Sequence, residues 1–135
     1  MPDVVRFVPP NAKLAHRLYY LLRGPQAARQ AIYYQPAGLI LNHPFWRLGD
    51  PAWIIGWQCE TLGLPKITAL LVGDSGMPGP GFFDHPENFR EPISRENYAS
   101  HVLKVYAATY PDLSLADFHG ADTEAREFYA ARRAA

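Results

Sequence analysis

Three histidines and their acidic neighbours are the first residues of this sequence that suggest chemistry. His85 follows Asp84 and precedes Glu87, and His101 and His119 come later in the same acidic third of the chain. Imidazoles and carboxylates brought together can hold a divalent metal or relay a proton, which would make a small metal-dependent hydrolase. Their spacing fits no ligand motif, so surface histidines are the simpler expectation, and no catalytic or metal residue is assigned. Cys59 is the only cysteine, which excludes an internal disulfide. Its place on an apolar helical stripe reads as a buried small hydrophobe rather than a nucleophile. The run from Gly73 to Gly81 has the glycine density of a phosphate loop but neither the lysine nor the strand, loop, helix order that such a loop needs. It reads as turn chemistry, and no cofactor is expected.

The remaining chemistry is that of binding. Between Met1 and Arg47 the cations Arg6, Lys13, Arg17, Arg23, Arg29 and Arg47 face Asp3 alone, whereas six cations face nine anions from Asp84 onward. The formal net charge is zero, yet the first half permits a face for a polyanion such as DNA. Trp53 and Trp57 are four residues apart on one helix, so they either pack under another segment or form a contact surface. With Phe82 and Phe83 they could make an aromatic patch that anchors a protein partner, as in an adaptor or inhibitor from a mobile element.

The elements that must position these residues are short, in keeping with 13 prolines and 10 glycines in 135 residues. One domain is expected, with a winged-helix-like core over about 12–83 and a C-terminal extension over 84–135. No apolar run is long enough to cross a bilayer and the N-terminus lacks a signal pattern, so the expectation is a cytoplasmic protein that stays off membranes. An extended arm ends at Pro10, and Asn11 caps a helix over 12–22 that Gly24-Pro25 stops. A helical turn at 26–30, a brief strand at 31–34 and a helix over 37–42 follow. Phe45, Trp46 and Leu48 form an apolar turn.

Asp50 and Pro51 mark the entry of the next helix, and Gly63 with Pro65 marks its exit near Leu62. Its core stripe is Ala52, Ile55, Gly56, Cys59 and Leu62, with Trp53, Trp57, Glu60 and Thr61 pointing the other way. Ile67 to Val72 reads as a strand, turned at Gly73–Gly76 into a return strand over 77–83. Residues 84–92 read as a loop. A helix over 94–110 is capped by Ser94, with a strand at 102–106 as the competing reading, and a last helix spans 124–133. The fold class is α+β: a winged helix-turn-helix core with a β-hairpin wing and additional C-terminal helices.

In the order and spacing of its landmarks, the stretch from Ile32 to Phe83 resembles the C-terminal winged-helix domain of alkylguanine-DNA alkyltransferases and alkyltransferase-like proteins. The matching places are Tyr33-Tyr34, Trp53-Ile54-Ile55-Gly56, Pro65-Lys66-Ile67-Thr68, and Ser75-Gly76 leading to Gly81-Phe82-Phe83. The resemblance implies a DNA-binding domain with Tyr34 at the start of the motif's first helix. It also departs from the family in two places. Lys66 follows Pro65 where the family has its alkyl-accepting cysteine, so alkyl transfer is not expected. Trp53 stands where the family's arginine replaces a flipped base, making it an apolar wedge.

The expected function is therefore non-catalytic DNA binding, with a protein-binding adaptor as the alternative. Lys13, Arg17, Arg23, Arg29, Arg47 and Lys66 are expected at phosphates, Trp53 as a wedge, Tyr34 and Trp57 among the other nucleic-acid-binding residues, and the 76–81 tip along the backbone or in the minor groove. Direct base readout is poorly provided for, since the exposed side of the Trp53 helix offers few donors.

Overall fold

The computed structural model describes residues 10–83 and 93–134. In chain order these form α1 (Pro10–Ala28), β1 (Ile32–Tyr33), α2 (Tyr34–Leu41), a 3-10 turn at Phe45–Arg47, α3 (Gly49–Thr61), a 3-10 turn at Ile67–Leu70, β2 (Leu71–Val72), the single turn α4 (Pro80–Phe83), α5 (Tyr98–Ala107) and α6 (Leu115–Ala134). The described chain is mostly helical, with one small sheet. The N-terminal arm expected before Pro10, the loop at 84–92, and with it Asp84, His85 and Glu87, lie outside the described residues.

Helices α1, α3 and α6 pack on one another because each carries an apolar stripe. Leu14, Leu18 and Leu22 come from α1, Ile54, Ile55 and Cys59 from α3, and Phe118, Ala121 and Ala125 from α6, all buried. The rings of Tyr19 and Phe118 meet at 5.3 Å between centroids. Removing such an aliphatic or aromatic side chain from water contributes about 1.5–3 kcal/mol each. The 108–114 connection is fastened by three tyrosine hydroxyls on backbone carbonyls, with the rings of Tyr19 and Tyr110 buried and that of Tyr20 exposed. Tyr19 Oη donates to the Pro111 carbonyl at 2.6 Å, Tyr20 Oη donates to the Leu113 carbonyl at 3.0 Å, and Tyr110 Oη donates to the Pro65 carbonyl at 2.6 Å.

The stop after α3 forms as its residues dictate. Gly63 takes φ 71°, and the Leu64 amide reaches back to the Cys59 carbonyl at 2.8 Å. Asn42 ends α2 in the same way at φ 53°, with the His43 amide donating to the Gly38 carbonyl at 2.9 Å.

Elsewhere the structure corrects the sequence reading. Helix α1 runs through Gly24 and Pro25 to Ala28 and absorbs the turn expected at 26–30. The continuation is held from outside: Gln26 Nε2 donates to the Val105 and Ala108 carbonyls at 3.0 and 2.9 Å, satisfying the last turn of α5. Leu62, expected in the core, is 43% exposed because α3 ends at Thr61, while Ile54 is buried instead. Asp50 lies in the first turn of α3 without capping it through its side chain. Helix α6 begins at Leu115 rather than near 124, where Ser114 and Asp117 cap each other's amides reciprocally at 3.1 and 2.8 Å.

The largest correction concerns the β-hairpin wing. Gly73 and Met77 do close a turn, through a 2.9 Å bond from the Gly73 amide to the Met77 carbonyl, but over 77–83 no return strand forms. Pro78 and Pro80 have no amide proton to give a ladder, and the chain enters α4 instead. β2 pairs in parallel with β1, Ile32 opposite Leu71 and Tyr33 opposite Val72. The segment expected as one strand from Ile67 is a buried 3-10 turn up to Leu70.

Candidate functional site: an aromatic groove around Lys66

The β1–β2 pairing brings the start of α2 beside the turn that follows β2. Together with one side of α3, these segments wall a groove of about 1290 Å³. Tyr33 enters it from the end of β1, Tyr34 from the start of α2, Phe45 and Trp46 from the 3-10 turn, Trp53 and Gly56 from α3, and Phe82 from α4. Asp50 and Asp74 place carboxylates on its walls, and Arg126 reaches it from α6 with its Nε held by Asp122 at 2.7 Å. Lys66 and Thr68, both buried, form the floor.

Lys66 is placed there by its backbone. The Pro65 carbonyl is held by Tyr110, and the Lys66 amide donates to His101 Nε2 at 3.1 Å. The side chain of Lys66 then points into the groove, where Nζ donates to the Phe82 carbonyl at 3.2 Å and lies 4.3 Å from the Phe82 ring centroid. Only 6% of the residue is exposed. Burial pushes its pKa down from 10.5 to about 8, against the opposing pull of the Glu60 and Cys59 charges.

Tyr34 is the second polar group of the wall. Burial raises its pKa, partly offset by a hydrogen bond to the Gly79 backbone. Gly79 permits this approach, since a Cβ there would sit 3.3 Å from the Tyr34 hydroxyl oxygen. Gly38 does similar work one layer back. A Cβ on Gly38 would lie 2.8 Å from the His43 carbonyl oxygen and 2.9 Å from Phe45 Cβ, so its absence lets the Phe45–Trp46 turn sit against α2.

Of the residues expected to bind DNA, the structure brings Tyr34, Trp53 and Lys66 together on this groove. Trp57 is not on it: its indole Nε1 donates to Glu124 at 3.3 Å and its ring packs 5.2 Å from Phe128, so α6 covers it. Lys13, Arg17 and Arg29 are exposed but do not line the groove. Arg23 is engaged with Asp112 at 2.6 Å and lies 5.2 Å from the Tyr20 ring. Arg47 is exposed directly after Trp46. Phe82 and Phe83 touch at 5.1 Å, but Phe83 stacks toward Tyr98 and Arg95, away from the groove.

Of the C-terminal histidines only His101 and His119 fall among the described residues, and they lie on different helices, α5 and α6. His101 is buried at the Lys66 amide rather than at the surface, and His119 sits on α6. Among the described residues no three His, Cys, Asp or Glu side chains gather as a metal would need. Trp46, Thr68 and Asp74 were missed as site residues. The available signal was Lys66 itself, a lone cation inside the apolar run from Leu64 to Val72.

Beside the groove, α2 and the turn after it present Leu39 at 82% exposure, Ile40 at 60% and Trp46 at 73%. No described helix is long and apolar enough to cross a membrane. Comparison of the chain with protein families, with curated proteins and with solved structures finds no match.

Proposed function

We propose that the protein binds DNA through this groove, taking single-stranded or locally opened segments whose unpaired bases stack on its aromatic walls. The observation that carries the reading is the combination of Tyr34, Trp53 and Phe82 around one buried ammonium. Stacking of a base on an aromatic side chain is worth about 1–3 kcal/mol and tolerates any base. The Lys66 ammonium offers a phosphate contact, while Thr68, Asp50 and Asp74 offer hydrogen-bonding groups for base edges.

The test is fluorescence anisotropy of a labelled oligothymidylate at low salt. Saturable binding is expected, weakened about tenfold or more by Trp53→Ala. The salt slope should be shallow, about −0.7 for each phosphate neutralised, and Lys66→Met should remove about one such unit. An oligonucleotide that does not bind, or that binds both variants as well as the parent, refutes the proposal.

The exposed Leu39, Ile40 and Trp46 favour a second reading, in which a protein partner covers α2 and its following turn. Such an interface would barely respond to salt and would be lost with Leu39→Asp, which leaves the groove walls in place.

A further inference from the structure

The chain has three lysines, and Lys66 is the one that lines the groove; Lys13 and Lys104 are exposed on α1 and α5. Its Nζ is oriented by the Phe82 carbonyl and sits over the Phe82 ring. That setting suits more than a phosphate contact. The face of an aromatic ring stabilises any cation placed over it, including the iminium that an amine forms with an aldehyde.

We infer that Lys66 is a carbonyl-reactive amine, and that it captures a DNA strand carrying an abasic site through the open-chain C1′ aldehyde of the base-free deoxyribose. The inference rests on the groove being where DNA binds. In the step itself the Nζ lone pair adds to C1′ and the carbonyl oxygen takes up a proton, giving a carbinolamine. The C1′–O bond then breaks, water leaves, and a protonated imine joins C1′ to Nζ over the Phe82 ring. One aldehyde, one neutral amine and one proton taken from the solvent become one protonated imine and one water, with no change of oxidation state. The absent base leaves the sugar small enough to reach the floor while its neighbours stack on Tyr34 and Trp53.

Burial also supplies the reactive form. With a pKa near 8, about a tenth of Lys66 is unprotonated at pH 7, against roughly one part in a few thousand for an ordinary lysine. Glu60 and Cys59 are the groups whose charges act on this amine in the opposite direction.

The experiment incubates the full chain at pH 7 with a single-stranded oligonucleotide bearing one abasic deoxyribose and sodium cyanoborohydride, which reduces the imine to a stable secondary amine. A covalent adduct is expected, mapped by peptide mass spectrometry to Lys66 and reduced at least tenfold in Lys66→Met and Lys66→Arg, with folding of each variant confirmed by circular dichroism. Lys13→Arg and Lys104→Arg should cross-link as the parent does. Mapping to Lys13, Lys104 or the terminal amine, or equal yield from the Lys66 variants, overturns the inference. If the intact oligonucleotide binds but the abasic one gives no adduct, this inference falls while the groove remains a DNA site. If neither binds, both fall.

Discussion

Replacing Lys66 by methionine should make the protein more stable, although it removes the group on which the proposed function depends. In the folded protein the Lys66 pKa lies near 8 and in the unfolded chain near 10.5. At about 1.4 kcal/mol per unit, keeping this ammonium buried at pH 7 costs about 3 kcal/mol. Methionine keeps the length of the stem and removes the charge. It also forfeits the hydrogen bond to the Phe82 carbonyl and the contact with the ring, about 1 kcal/mol each. The net gain is about 1 kcal/mol, a rise in Tm of about 3–4 °C for a domain of this size.

The pH dependence follows from the same shift. Because the folded pKa is depressed, the unfolded chain binds more protons between pH 8 and 10.5, so stability rises with pH across that window. Cys59 opposes it from pH 9, where the unfolded thiol ionises while burial holds the folded one near 12. Tyr19, Tyr98 and Tyr110, all raised by burial, oppose it above pH 10. The rise is therefore confined to pH 8–9 and amounts to about 0.5 kcal/mol. Urea denaturation of parent and Lys66→Met at pH 7, 8 and 9 reads both effects. A variant less stable than the parent at pH 7, or a parent whose stability does not climb between pH 8 and 9, refutes the reasoning.

Other consequences are simpler to read. Trp57→Ala should cost about 2–4 kcal/mol by thermal or chemical denaturation, because α6 packs on that indole, and should leave oligonucleotide affinity unchanged once folded. Trp53→Ala should lose affinity as well as stability, since that indole lines the groove and also packs against the core. Gly38→Ala drives a methyl into the His43 carbonyl and Phe45, so a loss of about 1–3 kcal/mol is expected, with quenching changes at Trp46 as the turn shifts. His101→Leu leaves the buried Lys66 amide without its acceptor and should cost about 1–3 kcal/mol, measured by denaturation at neutral pH.

What could be read from the sequence is what depends on neighbouring residues. The stop at Gly63 and Pro65 needs only a residue tolerant of positive φ and a ring that blocks resumption, and both are adjacent in the chain. The capping residues Ser114 and Asp117 were equally local, and their three-residue spacing marks the true start of α6. The passage of α1 through Pro25 could not be read locally, because the compensating contacts run from Gln26 to carbonyls at 105 and 108. The same holds for the sheet. Residues 71–72 find their partner at 32–33, across α2 and α3, once the prolines at 78 and 80 have ruled out a hairpin ladder. Tyr34, Trp53 and Lys66 were named from sequence as binding residues, yet their meeting in one groove depends on that pairing. Lys13, Arg17 and Arg29 were grouped with them by charge alone, which carries no information about which surface a side chain reaches.

The groove can be probed most directly through the three tryptophan indoles, which give three separate proton–nitrogen signals in a ¹⁵N-labelled sample. Titration with an unlabelled single-stranded oligonucleotide should move the Trp46 and Trp53 signals, whose rings line the groove, and leave Trp57 under α6 in place. Three unmoved signals, or a shift confined to Trp57, would mean that the groove around Lys66 is not where the ligand sits.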